Sequence, residues 1–488
     1  MTVTGGPEGL FEIEPSQSRT SARVPAGDAK TFREYDQQQN FLLPPSLDDW
    51  LDEDDEARFV SELVDGVLDL TAVYASYQSA SGAPPYDPRM MVKLLLFAYS
   101  TGVTSSRELE RRCKRDIAFR WLSGNQAPDY RSLARFRRRH LDALPGLFTQ
   151  VLAVCAQAGL VRLGRVALDG TKLHANASKH KAMSYDRIVP KIDQLQAEVD
   201  GLLAEAEAAD RAEDDEHGPD RRGDEIPAEL ARREGRLAKL RAAKAQIEAD
   251  AAGKAADAAR QKARAAGKPD DQVEQAAGEA AASAVPKPKA QRNFTDPQAR
   301  IMKTNHGFEY AFNAQAVVDE AHQVVLAAEV TQQATDVQQF VPMTERTESS
   351  LTAAGIGQSP HAVLADAGYC SEANLQAAEK LAGQVLIATG RQRHGETFPT
   401  VGVPDPVPQG ASRREQMAHA LRTEQGRADY ARRKAIVEPV FGQMKTRQNA
   451  GQLRLRGLAG AQGEWLLHTL CHNLRKLRNA TIAGLVPA

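Results

Sequence analysis

Apolar positions along the chain follow three rhythms. From about residue 46 to 160 they recur at helical spacing. DPRMMVKLLLFAYSTG (87–102) opens on Pro88 at a helix N-terminus and stops at Gly102. SSRELERRCKRDIAFRWLSG (105–124) reads as one helix from a serine cap to Gly124. PDYRSLARFRRRHLDALPGLFTQVLAVCAQAG (128–159) supplies two more. In the first of these, Leu133 and Phe136 point inward and Arg135, Arg137, Arg138 and Arg139 stay outside. Short helices carrying such a basic segment are similar to a helix-turn-helix arrangement.

The second rhythm occupies residues 185–290. Ile192, Leu195, Val199 and Leu202 form one stripe, and Leu230, Leu237, Leu240 and Ile247 form a heptad-like second one, with a charged linker between. From 250 to 290 the chain is rich in Ala, Lys and Asp, of low complexity, and broken by Gly267, Pro269, Pro286 and Pro288. This pattern predicts an inserted antiparallel helical hairpin with a poorly packed tail. Residues 1–45 are polar and are expected to be loosely ordered.

The third rhythm is that of buried strands. Val166, Ala167 and Leu168 run into Asp169 and Gly170, and AVLADAGYCS (362–371) runs into Asp366 in the same way. FEYAFNAQAVVDEAHQVVLAAEV (308–330) holds two strands around a hairpin turn at DEAH, and GQVLIATG (383–390) holds another. Residues 411–480 read as helical throughout. Asp-Gly is a common turn pair, so Asp169 has a purely local explanation. Two such strand ends in one chain instead suggest paired acids at the carboxyl edge of one sheet, a common place for a site in an α/β fold. Carboxylate oxygens suit Mg²⁺.

A third acid lies in GRADYARRKAIVEPVFGQMKTRQ (426–448). With Glu438 at zero on a helical wheel, Lys434 lies about 40° away and Lys445 and Arg427 about 20° away. Ile436, Val440 and Met444 fall on the opposite side, as a core stripe. The alternative for Glu438 is a surface ion pair. Pro439 predicts a kink at Glu438 or a helix that begins there. Asp336 reads as a cap of the next helix, together with Thr335, rather than as a fourth ligand. Asn313 and Gln315 share a strand face that can line the site. His174 is a possible DNA contact, and Trp121 and Trp465 read as core.

Composition and charge narrow the function. The 488-residue chain has room for two or three domains. Its N-terminus lacks a basic start and an apolar run, and LLLFAY (94–99) is too short to span a membrane. Cys113, Cys155, Cys370 and Cys471 have no zinc-like spacing, which points to reduced thiols and a cytoplasmic location. The net charge of −2 conceals two basic blocks: 13 Lys/Arg against 6 Asp/Glu in 87–142, and 14 against 5 in 411–478. Such blocks, interleaved with aromatics, fit a polyanionic partner.

VALDGTK, TDPQARIMKT, GFEYAFNAQAVVD, VLADAGYCS and the Tyr430-to-Lys445 segment, in this order, resemble the bacterial insertion-sequence transposases of the DDE type. The resemblance covers roughly 46–180 and 294–480. It implies an α/β (α+β) fold: a ribonuclease-H-like mixed sheet flanked by helices over 161–184 and 291–480. An all-helical DNA-binding domain over 46–160 precedes that sheet, and the helical coiled-coil-like insertion at 185–290 interrupts it. It further implies that Asp169, Asp366 and Glu438 are catalytic and hold two Mg²⁺ ions about 3.5–4 Å apart, with Mn²⁺ able to substitute. Related transposases carry a Tyr-Arg-Glu-Lys signature. Lys445 matches it, Lys434 stands where Arg is usual, and Tyr430 is one residue out of register with Arg433 close by. Tyr430, Arg433, Lys434 and Lys445 are thus the DNA contacts expected of the catalytic domain, and Arg135, Arg138 and Arg139 those of the helical domain. The implied activity is metal-dependent cleavage and joining of DNA at inverted repeats, by a homo-oligomer assembled on DNA in the nucleoid. The competing expectations are an inactive or domesticated relative and an all-helical regulator dimerising through 190–250.

Overall fold

The computed structural model describes residues 46–485, apart from 78–83, 218–227, 305–306, 391–406 and 408; the side chains of 179 and 205–231 are also outside it. The segment 1–45, expected to be loosely ordered, lies outside the described residues. Seven helices come first: α1 (Glu56–Gly66), α2 (Thr71–Tyr74), α3 (Pro88–Ser100), α4 (Ser106–Arg115), α5 (Ile117–Leu122), α6 (Tyr130–Arg139) and α7 (Leu144–Gln157). The helix expected over 105–124 is two helices. Asp116 accepts a hydrogen bond from Ala118 N at 3.1 Å and so caps α5, which ends α4 one residue earlier.

β1 (Arg165–His174) follows, then the short strand β2 (Ala182–Ser184), α8 (Tyr185–His217), α9 (Ala228–Ala265), α10 (Asp270–Ala282) and β3 (Gln291–Asn293). The remaining elements are β4 (Arg300–Thr304), β5 (Gly307–Asp319), β6 (Val325–Thr331), α11 (Phe340–Ala353), β7 (Ala362–Ala365), α12 (Glu372–Ala378), β8 (Gln384–Ile387), α13 (Arg413–Ala420), α14 (Glu424–Ala431), α15 (Arg433–Arg447) and α16 (Gly457–Ile482). The mixed sheet has β1 at its centre. β5 lies antiparallel on one side of β1, and β7 lies parallel on the other, followed by parallel β8. β4 and β6 pair with the two halves of β5. Helix α11 packs on β5 and β6, and α15 packs on β1.

α16 is buried over most of its circumference because it serves two partners. It meets α3 and α7 on one side and β6 on the other, so the first helices and the sheet share one core. A buried polar chain crosses this junction. Arg137 donates to Tyr99 Oη and, at 2.9 Å, to Thr104 O, and Tyr99 Oη donates to Glu464 Oε1 at 2.9 Å. Arg137 therefore faces inward, not outward as the amphipathic pattern of α6 predicts. A buried arginine is tolerated because an acid and a carbonyl meet it.

The insertion is more ordered than its composition suggests. α8 and α9 run antiparallel, with Tyr185 on Glu248 and Glu198 on Arg233, around Ile188, Leu195, Val199, Leu237, Leu240 and Ile247. α8 extends to His217, so the charged linker is helical in its first part; the remainder, 218–227, lies outside the described residues. The supposed tail is the end of α9 and α10, which pack together with Val273 and Ala277 buried and Gly267 and Pro269 in the turn. An alanine-rich segment is a strong helix former once it has a neighbour. β2 pairs with β3 and closes the insertion at its base.

Candidate active site

β1 does not end at Asp169; it continues to His174. Gly170 is there because of crowding, not because of a turn. It pairs with Gln315, and a Cβ at Gly170 would stand 2.2 Å from Gln315 Nε2 and 2.8 Å from Asp336 Oδ1. Leu168 pairs with Ala365 across the parallel β1–β7 ladder, so Asp169 and Asp366 follow at adjacent positions on neighbouring strands. Each carboxylate is held by a nearby glycine amide. Gly170 N donates to Asp169 Oδ1 and Gly368 N donates to Asp366 Oδ1, both at 2.8 Å.

Asp169 is half-buried, with one cation, Arg433, and one like charge, Asp366, beside it. Burial pushes its carboxyl up to about 6; Arg433 holds it down, and Asp366 raises it further. Arg433 Nη1 donates to Asp169 Oδ2 at 2.8 Å. Arg433 is itself buried and lies 6.0 Å from the centre of the Tyr430 ring. Burial raises the Tyr430 hydroxyl, with Arg433 opposing and Asp366 adding. Tyr430 and Arg433 thus belong to the Asp169–Asp366 neighbourhood, with Arg433 engaged on an acid.

The helix expected to present Arg427, Lys434, Glu438 and Lys445 together is divided. α14 ends at Ala431 and α15 starts at Arg433, so Arg427 is on a different helix. α15 touches β1 near both of its own ends, through Arg433 on Asp169 and through Lys445, whose ammonium donates to Thr171 Oγ1. Between those contacts Glu438 and Lys434 are exposed, while Ile436, Val440 and Met444 are buried as the wheel predicts. Pro439 sits inside α15, with neither a helix start nor an end at Glu438. It cannot donate to Ala435 O; Gln323 Nε2, from the β5–β6 turn, donates to that oxygen instead at 3.0 Å.

Asp336 corrects the sequence reading most. It stands at the start of the short turn Val337–Gln339, yet its side chain caps nothing. Its Oδ1 accepts from Asn313 Nδ2 at 2.7 Å, from Gln315 Nε2 at 2.8 Å and from Lys172 Nζ at 3.3 Å. Tyr369, fully buried, donates to Gln315 Oε1. Burial, then Asp336, Asp169 and Asp366, drive its hydroxyl well above the usual tyrosine range, which places three acids around one ring. The sequence did hold a signal for this. Asn313 and Gln315 on one face of a buried strand require acceptors and donors in return, and Asp336 is what they find.

Among the described residues no three acidic, histidine or cysteine side chains form one group able to cage a metal. Arg135, Arg138 and Arg139 are exposed on α6, and Arg139 also lies 4.4 Å over the Tyr77 ring. Trp465 is core, with its indole on Gln315 O at 3.0 Å. Trp121 is half-buried, with its indole on Asp48 at 2.9 Å.

A family model described as a transposase domain (DUF772) matches residues 45–139, and one described as a transposase DDE domain matches residues 282–474. The chain belongs to the DDE-type transposases of insertion sequences. No curated protein and no solved structure matches it significantly. The second match takes in Asp336, Asp366 and Glu438 and begins after β1, so Asp169 of this transposase lies between the two matched regions. No helix among the described residues is long and apolar enough to cross a membrane.

Proposed function

We propose that this transposase cleaves and joins DNA at the ends of its element, by divalent-metal-dependent phosphoryl transfer at Asp169, Asp366 and Glu438. The observation that carries this reading is the placement of Asp169 and Asp366 side by side at the edge of a parallel strand pair. The donor set fits a hard cation. Both groups offer carboxylate oxygens, and burial, with Asp366 adding to it, holds the Asp169 carboxyl up to about 6 even with Arg433 on it. A bound divalent ion supplies Lewis-acid stabilisation of the phosphoryl oxygens and a more reactive attacking oxygen. Glu438 is the third acid of the proposal; it is carried by α15, which is anchored on β1 on both sides of it.

The other residues act on DNA. Lys445 and Lys434 offer ammonium groups to phosphates on the flank of Asp169, and Tyr430 and Arg433 line the same neighbourhood. The exposed Arg135, Arg138 and Arg139 of α6 neutralise phosphates of the element's terminal repeats. A homo-oligomer assembled on paired ends completes the reading. An inactive relative is the second reading, favoured by Arg433 on Asp169 and by the exposure of Glu438. The test is incubation of the purified protein with end-containing DNA and Mg²⁺ or Mn²⁺, with nicked strands resolved on a denaturing gel. Metal-dependent nicks that Asp169→Asn and Asp366→Asn abolish support the first reading; intact DNA in both metals overturns it.

A further inference from the structure

Asp336 lies between two glycines that do the same job. Gly170 and Gly368 each hold one acid by the backbone amide, Asp169 and Asp366 respectively. A Cβ at Gly170 would stand 2.8 Å from Asp336 Oδ1, and one at Gly368 would stand 3.5 Å from Asp336 Oδ2. The two oxygens of one carboxylate thus face the two acid-bearing backbones: a side chain at position 170 would crowd Asp336, and Gly368 lies in ordinary contact distance of it. Three donors from β1 and β5 converge on Oδ1, and Asn313 and Gln315 among them are fully buried.

We propose that Asp336 is a positioning residue that sets the separation of the Asp169 and Asp366 carboxylates, by keying the turn after β6 between Gly170 and Gly368. A carboxylate suits this place. It only accepts, so all three converging donors are satisfied at one atom, and charge shortens and strengthens such hydrogen bonds. Lys172, Asn313 and Gln315 tie Asp336 to the strand of the first acid. Tyr369, in the turn after the second acid, closes the circuit by donating to Gln315. Neither acid moves relative to the other without disturbing this circuit. The proposal rests on the metal-binding reading of Asp169 and Asp366.

The test measures Mn²⁺ binding to the purified full chain, from the electron paramagnetic resonance of free Mn²⁺, together with thermal unfolding. Four proteins are compared: the unsubstituted chain, Asp169→Asn, Asp336→Asn and Lys172→Met. Asp169→Asn is expected to lose saturable binding, and Asp336→Asn to bind at least tenfold more weakly. Lys172→Met separates positioning from simple charge. Removing a cation near a cation site strengthens binding by Coulomb's law, whereas loosening Asp336 weakens it, here two- to fivefold. Should Asp336→Asn fail to fold, Lys172→Met alone decides, because its side chain lies at the partly exposed edge of the network. Binding in Asp336→Asn and Lys172→Met at the unsubstituted affinity, or tighter binding in Lys172→Met, overturns the positioning role and leaves the site standing. Unchanged binding in Asp169→Asn overturns the site and the proposal together.

Discussion

The guanidinium of Arg433 lies 2.8 Å from Asp169, on an oxygen that the proposed metal would need. Arg433 and the metal therefore compete for one acid. Arg433→Gln is expected to tighten Mn²⁺ binding about tenfold, the order of one partly screened charge interaction. It also lowers thermal stability, because Asp169 is left next to Asp366 without its cation. Titration calorimetry checks it; weaker binding in the variant would mean that Arg433 supports the metal instead of opposing it.

The pH dependence follows from Asp169. Its folded pKa, about 6, is above the unfolded value of about 3.9. A raised acid holds its proton more tightly in the native state. Its contribution to stability is complete below about pH 4 and is lost as pH rises through about 6. The metal-free protein at about pH 7.5 therefore carries a buried carboxylate beside Asp366, only partly offset by Arg433, and a divalent ion relieves it. Millimolar Mg²⁺ should raise the Tm at about pH 7.5 and leave it unchanged at about pH 5, as measured by scanning calorimetry. An equal rise at both values would exclude Asp169 as the linked group.

Neighbouring arginines on α6 should behave in opposite ways. Arg135→Ala with Arg138→Ala removes two exposed charges, so the slope of log affinity for end DNA against log salt should fall by about two, at unchanged stability. Arg137→Ala leaves Tyr99 and Glu464 buried without their cation and should cost about 3–5 kcal/mol. Mobility-shift titrations and urea unfolding separate the two effects.

Glu438 is exposed, so Glu438→Gln should change stability by less than about 1 kcal/mol. If Glu438 completes the metal site, nicking should nevertheless fall by about a thousandfold while DNA binding persists. Near-normal nicking on a denaturing gel would remove Glu438 from the site.

The insertion should be removable, with one repair. Arg292, almost fully buried, pairs with Asp250 of α9 at 2.8 Å. Deleting residues 187–288 with a short Gly/Ser bridge removes Asp250 and strands that charge, at about 3–5 kcal/mol. Adding Arg292→Met should recover most of the lost Tm and leave metal-dependent nicking measurable. A cooperatively folded deletant without any nicking would assign the insertion to catalysis.

Much of the sheet was legible because buried strands announce themselves. The apolar runs before Asp169 and Asp366 lie side by side as expected, and the Ile436–Val440–Met444 stripe is buried. The failures share one cause: the deciding partner is distant in sequence. Gly170 looked like a turn because Asp336 and Gln315 are needed to explain it. Asp336 looked like a cap until three donors from β1 and β5 claimed it. Arg137 looked exposed because Tyr99 and Glu464 belong to other helices. Pro439 looked like a break because Gln323, which satisfies the freed carbonyl, lies in a turn more than a hundred residues earlier.

The ribbon of β2 and β3 bears on how this chain can change over time. Ala182 pairs with Asn293, so more than a hundred residues of polypeptide leave and return at one point. The entropy of closing that excursion is met by the ribbon and by the insertion's own core, and grows only slowly with length. To the sheet, the path from β1 to β4 is a short loop whatever hangs from it. Lineages could lengthen, shorten or exchange the appendage without re-registering a single strand, and the first acid would stay beside the second while drifting ever farther from it along the gene.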